Sequence, residues 1–96
     1  MPFFSVLIHG QGINIPATDG AETIIGFYTT RVVRASGLKD AETKAVTSVR
    51  KEWQRPPLLG QNQGEAPLLE VEKVFSATLL KALVTRNKGF TFYSQK

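Results

Sequence analysis

The 96-residue sequence contains no cysteine, and this absence excludes several kinds of site at once. Without cysteine the chain cannot form disulfide bonds, thiolate zinc sites or iron–sulfur clusters, and it has no thiol nucleophile. A cysteine-free composition suits a reducing compartment, so we expect a cytoplasmic protein.

Long apolar segments are missing as well. The N-terminal apolar run covers only residues 3–8, with no basic segment before it and no small-residue cleavage site directly after it. A membrane-spanning helix needs about 20 predominantly apolar residues. The sequence therefore predicts neither a signal peptide nor a membrane span.

Groups that carry catalysis are scarce. Histidine occurs once, at His9, and the chain has no Gly-x-Ser-x-Gly nucleophile motif. Gly10-Gln11-Gly12 lacks the third glycine of a dinucleotide fingerprint and the lysine of a P-loop. The segment therefore predicts a tight turn or a bulge that leads into a short second strand. Glu70 and Glu72 are close in sequence, but no third oxygen ligand accompanies them. We expect no metal, no cofactor and no catalytic residue, and hence not an enzyme.

The charge is mildly basic. Twelve lysines and arginines oppose eight acidic residues, which gives a net charge of +4. Such a balance permits association with nucleic acid but does not require it. Because no run of five or more basic residues occurs, a mildly basic globular protein is the simpler interpretation.

The apolar content, 42% of residues, is sufficient for a packed core, and the length predicts a single domain over residues 1–96. Strands are expected where apolar, β-branched or aromatic residues cluster between turn signals. They are predicted at residues 3–9, 13–15, 24–35, 68–75 and 89–94.

Residues 24–35 admit two interpretations. Asp19 and Glu22 have the spacing of a capping box, and apolar residues recur at helical intervals. Against a helix, seven of the eleven residues from 23 to 33 are β-branched and two more are aromatic. Such side chains lose rotamer freedom in a helix and suit a pleated surface. We therefore predict a long strand, with Phe27 and Arg31 on one face and Tyr28 and Arg34 on the other.

Residues 37–54 give the clearest helical pattern, with Ser36 as the expected N-cap and Pro56-Pro57 beyond the end. One apolar stripe is predicted to face the sheet: Leu38, Ala41, Ala45, Val46, Val49 and Trp53. Residues 55–67 are predicted to be a long loop, and residues 77–88 a short helix or a loop.

The predicted element order is β-β-β-α-β, then the short helix or loop and a terminal strand. It indicates an α+β fold: a two-layer sandwich with a mixed four- to five-stranded sheet and one long amphipathic helix on one face. A strand, a helix and a strand in succession predict a right-handed parallel crossover.

Four segments together resemble a group of small uncharacterised bacterial proteins. The segments are GFYTTRVVRA at 26–35, AETKAVTSVRKEW at 41–53, LLEVEKV at 68–74 and GFTFY at 89–93. The resemblance spans about residues 26–93 and implies the same architecture, with no activity to carry over. Members of the group are often acidic where this chain is basic, so a shared function would not depend on the basic charge.

Two arginines of the predicted strand carry the main alternatives for a site. One of Arg31 and Arg34 is expected to pair with Glu70 or Glu72 across neighbouring strands. The functional alternative is that Arg31, beside Tyr28, binds a phosphate or carboxylate in a bidentate manner, through two N–H groups of its guanidinium.

Exposed aromatic residues on a sheet could also stack on nucleic-acid bases. Tyr28 and Tyr93 could serve in this way, whereas Phe90 and Phe92 are expected in the core. The candidate ligand- or nucleic-acid-binding residues are Tyr28, Arg31, Arg34, Arg50, Lys51 and Arg55. Because catalytic groups are lacking, the sequence favours a non-catalytic binding module that acts through a protein partner or a homodimer. Nucleic-acid binding is the alternative.

Overall fold

The computed structural model describes residues 2–16, 22–77 and 89–94, which form an α+β fold with a helix packed on a four-stranded antiparallel sheet. The sheet order is β3-β1-β2-β4. The elements are β1 (Phe3–Ile15), β2 (Ile24–Arg34), α1 (Leu38–Trp53), α2 (Leu58–Gln61), β3 (Leu68–Ala77) and β4 (Thr91–Ser94). Neither described helix is long and apolar enough to cross a membrane. The prediction for residues 77–88 lies, beyond Ala77, outside the described residues.

Strand β1 is one element of 13 residues, so of the two alternatives for residues 10–12 the tight turn is wrong and the bulge is confirmed. Gly12 has a φ of +86°, a conformation that glycine adopts without a steric penalty. The register with β2 shifts between Gln11 and Ile15. The glycine therefore introduces a bulge into a continuous strand rather than a reversal of the chain.

Strand β2 confirms the strand interpretation of residues 24–35. Its alternation places Phe27 and Arg31 on the side that α1 covers, where both are buried. Tyr28, on the other side, is 40% exposed. The helical alternative fails because the strand is paired on both edges, with β1 on one and β4 on the other.

The predicted mixed sheet is not observed among the described strands, which pair only in the antiparallel sense. Strands β2 and β3 do run in the same direction, since each is antiparallel to β1. However, β1 lies between them, so the connection through α1 links strands that are not neighbours. The sequence pattern showed a strand, a helix and a strand but not which strand would occupy the position between them.

Strand β3 contains a second bulge, because Leu7 pairs with Lys73 and Ile8 pairs with Val71. The extra residue changes which positions face the helix: Val71 does so before the bulge and Val74 after it. Regular alternation along the strand would have placed Lys73 and Phe75 on the same face as Leu69 and Val71; the bulge instead pairs them with Leu7 and Ser5 on the opposite side.

Helix α1 confirms most of the predicted stripe. It buries Ala41, Ala45, Val49 and Trp53 against the sheet, whereas Leu38 is 56% exposed. The N-cap position belongs to Gly37 rather than Ser36. The Asp40 carboxylate instead accepts hydrogen bonds from the Ser36 backbone nitrogen at 3.0 Å and from its hydroxyl at 3.3 Å. The backbone bond, helped by the nearby Lys44 ammonium, lowers the pKa of Asp40.

The core is closed at one end by aromatic rings. Phe27 stacks on Trp53, with ring centroids 5.1 Å apart, and the Phe90 ring meets Phe27 edge-on at 4.9 Å. Gly10, opposite Phe27 on β1, makes this possible, because a Cβ at position 10 would overlap the Phe27 ring. The expected core role of Phe90 is confirmed by these contacts. The same expectation for Phe92 is wrong, because that side chain is 38% exposed at the margin of the cluster, with its ring centroid 6.3 Å from that of Phe27.

The predicted loop at residues 55–67 contains α2 and a side-chain anchor, Asn62. The Asn62 amide oxygen accepts hydrogen bonds from the backbone nitrogens of Asn14 at 2.9 Å and Gly64 at 3.0 Å. The Gln63 nitrogen donates to the Asn14 carbonyl at 2.7 Å. These bonds fasten the loop to the end of β1.

The core assignment leads to a stability prediction. Val49→Asp should lower the free energy of unfolding by about 3–5 kcal/mol, because it places an unpaired charge at a position with no solvent exposure. Thermal melting compared with Thr47→Asp, an exposed position on the same helix, provides the measurement. Equal melting temperatures for the two variants would show that Val49 does not pack in the core.

Candidate functional site

The side of the sheet opposite α1, called here the open face, is covered by neither described helix. The strand register arranges its side chains in rows across the sheet. One row runs from Glu70 on β3 through His9 on β1 and Tyr28 on β2 to Thr91 on β4. This row places the chain's single histidine between a carboxylate and an aromatic ring.

His9, Tyr28 and Tyr93 form a cluster of three rings on the open face. The His9 ring stacks on Tyr28 with centroids 4.6 Å apart and an interplanar angle of 12°. The Tyr93 hydroxyl lies 2.5 Å from Nε2 of His9. The imidazole is therefore held by its flat face and by one of its nitrogens.

Gly26 provides the space for this cluster. It pairs with Tyr93 across β2 and β4, and a Cβ at position 26 would overlap the Tyr93 hydroxyl. A glycine in a strand loses packing, and an aromatic ring on the neighbouring strand that lies across it restores apolar cover. The resemblance segment beginning at Gly26 thus contains the residue that lets Tyr93 approach His9.

The pKa of Tyr93 is raised, first by its burial and then by the neighbouring Tyr28. The hydroxyl therefore keeps its proton at neutral pH, and it can both donate and accept a hydrogen bond. It donates to Nε2 when that nitrogen is bare, or accepts from Nε2–H when the His9 proton resides there. The contact is compatible with either histidine tautomer.

Two carboxylates lie beside His9. One ring nitrogen of His9 and one carboxylate oxygen each from Glu70 and Glu72 lie within 4.8 Å of one another. Sequence reasoning found the two glutamates but missed the third donor, because it is a nitrogen contributed by a neighbouring strand. His9 could be recognised as the third donor only from its pairing with Glu70 across two strands, and local sequence patterns do not reveal that pairing.

Arg31 does not take part in this cluster. It is 4% exposed on the helix side, where its guanidinium bonds the Glu52 carboxylate at 2.5 Å and lies 5.2 Å from the centre of the Phe90 ring. The expectation that Arg31 or Arg34 pairs with Glu70 or Glu72 is therefore wrong for Arg31, because strand alternation directs it to the opposite side of the sheet from Glu70.

The six candidate binding residues are distributed over both sides of the sheet. Tyr28 and Arg34 are on the open face, and the Arg34 guanidinium lies 5.7 Å from the centre of the Phe3 ring. Lys51 and Arg55, near the end of α1, line a groove along that helix, and Arg50 is exposed on the same helix. The structure does not bring the aromatic candidate and the helix cations together.

No protein-family model matches the chain, and no curated protein or solved structure shows significant similarity to it. The resemblance drawn from the four segments therefore stays a prediction, and the candidate site is interpreted from its own geometry.

Substitution of Gly26 tests the ring cluster. Gly26→Ala should displace the Tyr93 ring and remove its bond to His9, and the resulting crowding should cost about 1–3 kcal/mol of stability. The His9 ring resonances in NMR spectra report the lost contact. Gly60→Ala is the matched control, since a Cβ there meets nothing within 4 Å. Unchanged His9 resonances in Gly26→Ala would contradict the proposed contact.

Alkaline titration tests the environment of Tyr93. The chain has two tyrosines, so absorbance at 295 nm in a Tyr28→Phe variant follows Tyr93 alone. We expect a midpoint above the usual value of about 10, because burial still disfavours the tyrosinate.

The sign of the stability change follows from this shift. When the pKa of a group is higher in the folded than in the unfolded state, the group contributes to the free energy of unfolding. The whole contribution is present at any pH below the pKa of the unfolded state. That contribution is lost as the pH rises through the pKa of the folded state. Stability should therefore decline at alkaline pH, and it should decline less in Tyr93→Phe. A Tyr93 midpoint at or below the usual value would contradict the assignment.

Proposed function

We propose that the protein is a non-catalytic cytoplasmic binding module that works by pairing with a second copy of itself through the open face. The observation that carries the proposal is a sheet with one packed side and one side that neither described helix covers. Exposed apolar side chains on a sheet gain from burial against another surface, by about 25 cal/mol for each Å² removed from water.

The apolar part of the open face lies next to the ring cluster. Phe75 is 44% exposed, and the register places it in a row with Ser5 and Val32. Leu7 occupies the following row, between Phe75 and the ring cluster. The apolar side chains of Leu7, Val32 and Phe75 thus lie in two neighbouring rows that also contain Ser5, Thr30 and Lys73, and the next row contains the exposed ring of Tyr28.

The size of the face suits a dimer. Nine residues on each of β1, β2 and β3 and the four residues of β4, at about 4.8 Å between strands and about 3.3 Å per residue, give a footprint of roughly 500 Å² per copy. Two such footprints bury about 1,000 Å² in total, which reaches the lower end of specific interfaces. Only a partner that covers most of the face would reach this size, and a second flat sheet has that shape.

The charges on the face are arranged for self-association. Arg34 lies at one end, opposite Phe3, and Glu70 lies near the other end, opposite His9. In a dimer whose two-fold axis runs across the strands, the same patch contacts itself and one end of each copy meets the opposite end of the other. Arg34 of each copy would then approach the carboxylates of its mate, and the apolar rows would meet in the middle.

Oligomeric state tests this proposal directly. Sedimentation velocity between about 1 and 200 µM, a range that spans weak to moderate dimers, should show a concentration-dependent dimer. Phe75→Glu should shift the protein to monomer, because it places a charge among the apolar side chains of the proposed interface.

The matched control for Phe75→Glu is Leu59→Glu. It adds the same charge at an exposed apolar residue, 56% exposed, on helix α2 away from the open face. The control should remain dimeric. A wild-type protein that stays monomeric throughout the range would overturn the proposal. Salt-sensitive binding of DNA or RNA by that monomer would support the nucleic-acid alternative instead.

A further inference from the structure

We propose that His9, Glu70 and Glu72 form a binding site for a divalent first-row transition-metal ion. Their donor atoms lie within 4.8 Å of one another, and the three residues come from two paired strands. This inference does not depend on self-association, because one copy of the chain supplies all three donors.

The two strands fix the origins of the donor side chains. Glu70 pairs with His9 directly, so their side chains emerge on the same side of the sheet. Glu72 is the extra residue of the β3 bulge between the pairs Leu7–Lys73 and Ile8–Val71. A bulge redirects a side chain and commonly occurs next to functional sites. Here it places a second carboxylate within reach of His9.

The histidine is held in a manner suited to metal binding. A ligating imidazole uses one nitrogen for the metal, while its other N–H is held by a hydrogen-bonding group that fixes the ring. The Tyr93 hydroxyl, 2.5 Å from Nε2, can accept that hydrogen bond. Stacking on Tyr28 restrains the remaining rotation of the ring. Nδ1 is then the nitrogen that we assign as the metal ligand, and Tyr93 is a positioning residue.

The donor set selects the class of ion. One imidazole nitrogen with two carboxylates suits Zn²⁺ and its first-row neighbours, whereas Mg²⁺ and Ca²⁺ prefer sites made of oxygen alone. The two negative charges balance the charge of a divalent ion. Metal–ligand bonds of about 2.0–2.2 Å require donors roughly 3–3.5 Å apart. The glutamates are exposed, so their side chains can close that gap without movement of the strands.

The composition makes a binding experiment unusually clear. The chain has one histidine and no cysteine, so in tag-free protein any side-chain nitrogen ligation of a soft or borderline metal must use His9. Zn²⁺ titration by calorimetry should give one saturable site per chain. Co²⁺ should add visible absorption bands, and the His9 resonances should change on addition of metal.

Each donor is tested by a variant of nearly the same shape. His9→Gln, Glu70→Gln and Glu72→Gln should each weaken Zn²⁺ binding at least tenfold, while Glu65→Gln, an exposed carboxylate in the loop before β3, should leave it unchanged. Because Tyr93 acts through His9, Tyr93→Phe should weaken binding without changing the stoichiometry. An excess of Mg²⁺ should not displace Zn²⁺.

Folding is checked separately, because the donor variants could act through stability. Glu72 is exposed, so Glu72→Gln should retain the circular dichroism spectrum and melting temperature of the metal-free wild type. Absence of Zn²⁺ binding at millimolar metal, or binding of equal strength in His9→Gln, would overturn the proposal. A monomeric wild type that still binds Zn²⁺ with these variant effects would refute self-association and leave the metal site in place.

Discussion

Two aromatic rings lie across two glycines of neighbouring strands, and the rest of the fold depends on these contacts. On the helix side, Phe27 of β2 covers Gly10 of β1 and then stacks on Trp53 of the helix. On the open face, Tyr93 of β4 covers Gly26 of β2 and reaches His9. The first contact joins the sheet to the helix. The second joins the short edge strand β4 to the centre of the sheet. A larger residue at either glycine would displace the ring that lies across it.

Strand β1 links the two sides of the molecule. Alternation sends Val6 and Ile8 into the core, where both are fully buried, and sends Leu7 and His9 to the open face. The strand also pairs on both edges, so its position is fixed by backbone hydrogen bonds as well as by packing. A side chain such as His9 therefore projects from the most constrained strand of the sheet. This constraint gives the ring cluster a defined geometry even though it lies at the surface.

The regular elements could be predicted from the sequence because their signals are local. The β-branched run favoured the strand at β2, and the spacing from Ala41 to Trp53 favoured α1. The two bulges differed in this respect. The glycine at position 12 indicated a tight turn or a bulge, whereas no residue of β3 marked the bulge there, and an extra residue shifts side-chain alternation by one position. The strand order was also inaccessible, because non-local pairing decides it.

The same limit applied to the candidate site. Tyr28 could be identified as an exposed aromatic residue from alternation alone, and the structure places it in the ring cluster. Arg31 could not be assigned a partner, because its carboxylate, Glu52, comes from the helix that covers the sheet. His9 is separated from Glu70 and Glu72 by about sixty residues of sequence, and it meets them only through the antiparallel pairing of β1 with β3. Such a constellation is a product of topology, which residue types and spacings do not encode individually.

The acidic end of the open face presents an electrostatic problem that both proposals address. The carboxylates of Glu70 and Glu72 lie close together and repel each other, and burial of that end beneath another protein surface would strengthen the repulsion. A positive charge must then accompany any surface that covers it. In the proposed dimer that charge would come from Arg34 of the second copy, and in the proposed metal site it would come from a bound divalent ion. The two ways of neutralising the site differ in one physical respect. An ion needs a donor nitrogen and draws the carboxylates toward His9, whereas an arginine pairs with the carboxylates alone. The state of the His9 ring therefore distinguishes between them.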